Sequence, residues 1–549
     1  MCWVRAPLNP FFTISKYIFR QPVSMYDVLI KGGRVIDGTG SPWRKADVGV
    51  SDEYIKKIGL ISESDAEKVI DARGFVVSPG WIDIHIHADH TVLGNPACLS
   101  FAHQGITTVT MGNCGLSMYP LTPEHKEDLI EYMLPFTSGL RIDWDWSTMD
   151  EFLARLDAVS LNMVPFIGHG SIRIAVMGFE DRTPTEGEFR SMKKLLVGAM
   201  ESGAHGLSTG LGYPPGMFAG DKELVDLMNV IKEYGGLYST HMRDNESNLD
   251  DTIRLGKMTG VPIQVSHIGY SRGHQRQLRG RHESTTLRKI DEAREGGVDI
   301  TADIYPYTFG SSLLTQAIPA WLHVGGVRTM LRRLEDPKVR VRLAEEFEES
   351  GMDFDKVMVS FVKSEGNKPI EGLSLQEIAE ERSQSVVDAF CEILIDERAE
   401  AMNVTFWGNE EDVTTMVRHP AVMPCSDGWI LAPFGPLGAG KPHPRCYGAF
   451  PRYIRRYVRE EKVFTLEEAV RRMTSMPASR MGLQDRGLLL EGMKADITVF
   501  DPENVKDLGT FENPHVYPEG ISTVIVNGAI TVENGEHTGA LNGKILKKL

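Results

Sequence analysis

Residues 81–90 read WIDIHIHADH, an apolar run that ends in two histidines two positions apart, with an acid before and after them. Side chains along a strand alternate between faces, so His85 and His87 point the same way. Two imidazoles side by side at a strand end suit a shared metal ion. A strand end whose histidines only hydrogen-bond has the same spelling, so the rest of the chain must decide.

Seven further β runs follow: TTVTMGNC, NMVPFIGH, AHGLSTG, LYSTH, PIQVSH, VDITADIY and AVMPCSD. Helical segments separate them, which predicts a parallel sheet with crossover helices. One such helix is spelled TEGEFRSMKKLLVGAMESGA. Thr185 and Glu188 make a capping box, Phe189, Met192 and Leu196 an apolar stripe, and Gly203 a stop. Eight strands with crossovers predict an α/β fold, a (β/α)8 TIM-like barrel whose active site lies at the C-terminal ends of the strands. Six of the eight runs end within a residue or two of His, Cys or Asp, which places chemistry at that face.

The chain ends have a different grammar. Short alternating strands punctuated by Gly pairs and Asp-Gly run from Met25 to Pro79 and return in LLLEGMKADITVFD and ISTVIVNGAITVENG. They predict one small β-rich domain made by residues 25–79 and 481–549, flanking a barrel over residues 80–480. More than 100 residues separate the seventh and eighth runs, so a helix-rich insertion at about residues 310–420 is expected at the barrel mouth, as a lid or as a peripheral excursion. Residues 1–24 carry Arg5, Lys16 and Arg20 and no acid. They read as an extension outside the fold, with a targeting segment as the alternative.

Composition narrows the class. A net charge of −16 argues against nucleic acid or an anionic membrane as the main partner. No run of 18 apolar residues predicts a membrane span. Six cysteines in 549 residues make no disulfide framework; they suit a reducing, cytoplasmic setting in which one cysteine can serve as a ligand. Cys98, Cys391, Cys425 and Cys446 read as buried hydrophobes.

Collected by strand, the candidate site residues are His85, His87, Cys114, His241, His267 and Asp427. Four imidazoles, a thiolate and a carboxylate at one barrel mouth make a zinc-type donor set for one or two ions. The set resembles the amidohydrolase superfamily, and within it the N-acyl-D-amino-acid deacylases. The resemblance runs through GWIDIHIHADH, GITTVTMGNCGLSMYP, GHGSIRIAVMG, GAHGLSTGLGYPPGMFA, YSTHMRDN, QVSHIG, DIYPYT, SDG and HPRCYGAFPR, nine segments in order. It implies that Cys114, His241 and His267 hold a tight Zn2+, Cys114 standing in place of the carboxylated lysine of many relatives. His85, His87 and Asp427 then surround a weaker second position, and Asp427 is the general acid/base acting on a metal-activated water.

For the substrate, a small-molecule N-acyl amino acid, the resemblance implies contacts from Tyr305, Ser311 and Arg445. It also implies a lysine two residues after His267, where this chain has Gly269; Arg272, Arg276, Arg279 or Arg281 nearby would substitute, or form a solvated basic loop. His169 ends the third run at the mouth and either orients substrate or is a packed structural histidine. The missing lysine keeps open another amide without an α-carboxylate: a cyclic imide, a lactam or a carbamoyl compound. A silent scaffold would have lost metal donors, and none is lost. Acyl group, side chain, metal count and homo-oligomer state are not spelled in the sequence.

Overall fold

The computed structural model describes residues 25–137, 139–243, 247–269, 282–406 and 408–548; the leader and the Arg272–Arg281 arginines lie outside these residues. The chain opens with β1 (Tyr26–Val35), β2 (Arg44–Ser51), β3 (Tyr54–Gly59), β4 (Ala66–Asp71) and β5 (Val76–Pro79). It then enters a run of parallel strands: β6 (Trp81–Asp83), β7 (Ile106–Met111), β8 (Asn162–Pro165), β9 (Ile167–Gly168), β10 (Gly206–Gly210), β11 (Leu237–His241), β12 (Ile263–Val265) and β13 (Ile300–Ile304).

After β13 an antiparallel sheet of β14 (Phe309–Leu313), β15 (Val357–Phe361) and β16 (Met402–Phe406) interrupts the barrel, which resumes at β17 (Val422–Pro424). The chain ends in β18 (Ile497–Phe500), β19 (Ile521–Val526), β20 (Ala529–Glu533) and β21 (Glu536–His537).

All eight β runs read from the sequence are strands. β8 and β9 are one run broken at Phe166: β8 pairs with β7, and β9 with β10. The parallel order is therefore β6-β7-β8/β9-β10-β11-β12-β13-β17. First and last strands meet just beyond their ends. The Asp427 N–H donates to the His85 carbonyl at 2.8 Å, the His87 N–H to the Gly428 carbonyl at 2.9 Å, and the Ser426 N–H to the Asp83 carboxylate at 3.2 Å. Those bonds bring the first and eighth runs together where the site residues sit.

The helix read at Thr185 spans Glu186–Glu201 with both capping-box bonds formed. Met192 and Leu196 are buried against the barrel, and Phe189 is half-buried. Strands from both chain ends share one nine-stranded sheet, in which β18 pairs antiparallel with β5, Val499 opposite Val77. The insertion has its own core, from Leu314 to Ala401, with Phe390, Leu343 and Val359 fully buried. It is helix-rich, with helices at Gly326–Leu334, Pro337–Ser350 and Val386–Asp396, and adds a three-stranded sheet that was not expected. Strand β14 reads FGSSL, which lacks the apolar alternation that marks a strand. Among the described residues, no helix is long and apolar enough to cross a membrane.

Candidate active site

The six donor residues follow the C-terminal ends of five strands. His85 and His87 follow β6, Cys114 follows β7, His241 ends β11, His267 follows β12 and Asp427 follows β17. Cys114, His267 and Asp427 hold positive φ, at 54°, 34° and 50°. L-residues adopt this region at a cost, and it concentrates at functional sites. Here it turns the chain so that the side chain faces the barrel axis rather than continuing the pleat.

The Cys114 loop is pinned from both sides. The Tyr213 hydroxyl donates to the Cys114 carbonyl at 2.6 Å, and the Gly115 N–H donates to Ser208 Oγ at 2.9 Å. A Cβ on Gly115 would stand 2.7 Å from the Gly210 backbone nitrogen, so only glycine allows this approach.

The donor atoms converge. Cys114 Sγ lies 3.2 Å from His85 Nε2 and 3.5 Å from His267 Nε2. Donors on a tetrahedral zinc stand about 3.5 Å apart. The metal-binding atoms of Cys114, His241 and His267 all lie within 4.8 Å of one another, and so do those of His85, His87 and Cys114. The sulfur belongs to both groups. Asp427 Oδ1 is 3.4 Å from His85 Nε2 and 3.2 Å from His87 Nε2, and Oδ2 is 2.8 Å from the Arg445 guanidinium. Four imidazoles, one thiolate and one carboxylate are a donor set that fits zinc.

Electrostatics fit the same assignment. Burial pushes the Cys114 thiol up, but the His85 and His267 charges outweigh it and hold the thiol well below its usual range. Burial likewise raises the Asp427 carboxyl, and Arg445, His87 and the other imidazoles outweigh that and hold it well below the carboxylate range. Burial lowers His87, but Asp427 and Cys114 bring it to about 9. A thiolate and a carboxylate are thus kept ionised beside imidazoles in a buried space, the arrangement a cation completes.

Of the expected substrate contacts, Tyr305 and Ser311 line the same cavity, which also takes in Leu116, Phe136, Gln316 and Trp429. Arg445 stands behind that wall. It is 1% exposed, its guanidinium 4.6 Å from the Tyr305 ring centre and paired with Asp427. His169 is fully buried with Nε2 2.8 Å from Glu223, which also binds Arg173 at 2.6 Å; it is not among the described residues lining the cavity. Gly269 has φ +100°, a conformation that disfavours the lysine of the resembling family. Cys98, Cys391, Cys425 and Cys446 are free and buried.

Sequence reasoning missed Asp303. It accepts from the His267 N–H at 2.7 Å and from Gln264 Nε2 at 2.6 Å, and its Oδ1 lies 3.3 Å from His85 Nδ1. One carboxylate thereby faces the His85 imidazole from behind, the usual support for an imidazole ligand, and also fixes the backbone of His267. Its place near the end of β13 was the available signal. Trp429 and Phe136, which wall the cavity, gave none.

A model described as the amidohydrolase family matches residues 68–532. D-aminoacylase of Alcaligenes xylosoxydans xylosoxydans is 34% identical over 527 residues, covering 95% of this chain and 98% of that protein. N-acyl-D-glutamate deacylase of the same organism is also 34% identical, over 91% of this chain and 93% of that protein. The crystal structure of N-acyl-D-glutamate deacylase from Bordetella bronchiseptica, complexed with zinc and a phosphonate mimic of the tetrahedral intermediate, superposes with a TM-score of 0.79. It is 32% identical, over 95% of this chain and 100% of that one.

Proposed function

The chain belongs to the amidohydrolase family, and from that premise we propose that it is a zinc-dependent hydrolase of the amide bond in N-acyl-D-amino acids, releasing a carboxylate and the free amino acid. One observation carries the reading: an ionised Asp427 stands at the edge of a zinc-type donor set inside the cavity, in a chain 34% identical to D-aminoacylase over nearly its whole length.

Cys114, His241 and His267 would hold the tight zinc, with His85, His87 and Asp427 flanking a weaker position, and the metal would supply the Lewis acidity that polarises the amide carbonyl and acidifies a water. Asp427 accepts the water proton on Oδ1 and returns it to the leaving nitrogen. Arg445 keeps that carboxylate ionised and fixed, and Asp303 fixes the rings of His85 and the backbone of His267. Tyr305 and Ser311 hold the substrate against the cavity wall. The described cysteines, all free, agree with a reducing, cytoplasmic setting.

Gly269 supports a second reading, an amide without an α-carboxylate, because the resembling family's lysine is absent. Initial rates on N-acetyl-D-methionine and its L enantiomer separate the two, using zinc-loaded protein. D-selective hydrolysis, lost on chelation and cut about 10²–10⁴-fold in Asp427→Ala, is the expected result. Zinc-loaded protein that opens a hydantoin ring and leaves both enantiomers intact would overturn it.

A further inference from the structure

His443 is fully buried two residues before Arg445, and no reaction step above uses it. Its Nδ1 accepts from the Arg445 N–H at 3.0 Å, so the ring proton sits on Nε2, which donates to the Phe309 carbonyl at 2.7 Å. Burial, followed by the Arg445 charge, pushes the imidazole well below its usual range, so the ring stays neutral and keeps this tautomer. It stacks on the Phe309 ring with centroids 4.2 Å apart, and Tyr307 meets it edge-on at 5.0 Å. The two bonds reach two different parts of the site. Phe309 opens β14, and Gly310, Ser311 and Ser312 after it line the cavity. Arg445 opens the helix Arg445–Ile454, where a first-turn N–H has no partner inside the helix. Its guanidinium faces Asp427 Oδ2 at 2.8 Å.

We propose that His443 is a positioning residue, which holds Arg445 against Asp427 through one ring nitrogen and the cavity wall of β14 through the other. The proposal rests on the hydrolase reading above. The residue type carries it. An asparagine at this position would cap the Arg445 N–H through an Asx-turn, the common solution for a residue two positions ahead of the donor. Histidine adds a second nitrogen on the far side of a flat ring, and here that nitrogen binds Phe309, 134 positions away. A neutral ring with both nitrogens engaged and one face stacked has a single orientation. It sets the partner of the Asp427 carboxylate and the wall carried by the insertion in register with each other.

The test uses variants that each keep one of the two bonds. His443→Gln keeps a donor where Nε2 stands and loses the cap on Arg445, whereas His443→Asn keeps an acceptor where Nδ1 stands and loses the bond to Phe309. His443→Phe keeps the stacking and loses both. Each is compared with the wild type as zinc-loaded full chain, by kcat and KM on N-acetyl-D-methionine, with zinc per chain and the thermal melt as checks of folding. His443→Gln should act mainly on kcat, lowering it about 10–100-fold, because the displaced group faces the proton-accepting carboxylate. His443→Asn should act mainly on KM, raising it about threefold to tenfold, because only the wall loses its tie. His443→Phe should show both effects. A ring that merely fills space would make the phenylalanine variant the mildest of the three. That ranking, or the same kcat and KM pattern in the Asn and Gln variants, overturns the assignment and leaves the hydrolase reading standing. The Asn and Gln pair decides the matter if His443→Phe does not fold. Zinc-loaded wild type that leaves N-acetyl-D-methionine intact overturns the hydrolase reading, and the assignment with it.

Discussion

Cys114, His241 and His267 gather around one sulfur, whereas His85, His87 and Asp427 gather around one carboxylate that an arginine already faces at 2.8 Å. Both groups offer nitrogen donors from barrel strand ends, and both contain a residue turned into positive φ. What differs is how the anion is employed. The thiolate has only imidazoles beside it, and these become neutral ligands once a cation arrives. Asp427 keeps Arg445 whatever binds, because the guanidinium is buried with it and packed on Tyr305. A cation at the first position meets an anion with no fixed counter-charge, and a cation at the second meets one already partly neutralised. The proposed strong and weak positions agree with that difference in charge.

The most severe test of this contrast removes the shared sulfur. Cys114→Ala should empty both positions and abolish hydrolysis, while His87→Ala should lose only the weaker zinc and keep the first, both read as zinc per chain after dialysis. Equal zinc loss in the two variants would erase the distinction.

Asp303→Asn comes next. It keeps the shape but removes the charge behind His85 and His267, and zinc affinity should fall about 10–100-fold in a competition titration with a chromophoric chelator. An unchanged affinity would mean that the rings are held by packing alone.

The smallest effect is a shift in pH dependence. Burial alone would raise the Asp427 carboxyl, and Arg445 leads the groups that hold it down. The reaction needs Asp427 ionised, so the acid limb of kcat/KM falls as pH drops through that depressed pKa. Arg445→Gln lets the pKa rise, so the acid limb should move to higher pH, by about one unit. A limb that stays in place would detach Arg445 from the proton-accepting carboxylate and leave it as a brace for the loop.

Much of this was open to sequence reading, for reasons that can be named. Each barrel run is short and apolar, and six of the eight end within a residue or two of His, Cys or Asp. His85 and His87 carry the period of two that puts both on one face. Thr185 and Glu188 announce a helix start three residues apart. Other features leave no such trace. Asp303 looks like any strand acid until β12 and β13 pair and set its carboxylate under the His267 N–H. His169 reads as a mouth residue, yet the fold commits its Nε2 to Glu223, 54 residues away. Arg445 reads as a substrate contact, and the structure sets it against Asp427. Strand β14 is invisible to alternation because its serines and glycine carry no apolar phase, although Ser311 on it lines the cavity at the donor set.

The sequence by itself determined the barrel, the identity of the donors and the chemistry they suit. These follow from side-chain period along a strand and from residue type, both local properties of the chain. Only the tertiary structure decided which charge faces which, where Arg445 points, and how the first and eighth runs close on one another. The contacts that close the barrel join residues more than 300 positions apart, as when Asp83 takes the Ser426 N–H. Nothing local encodes them; they arise when the first and eighth strands meet.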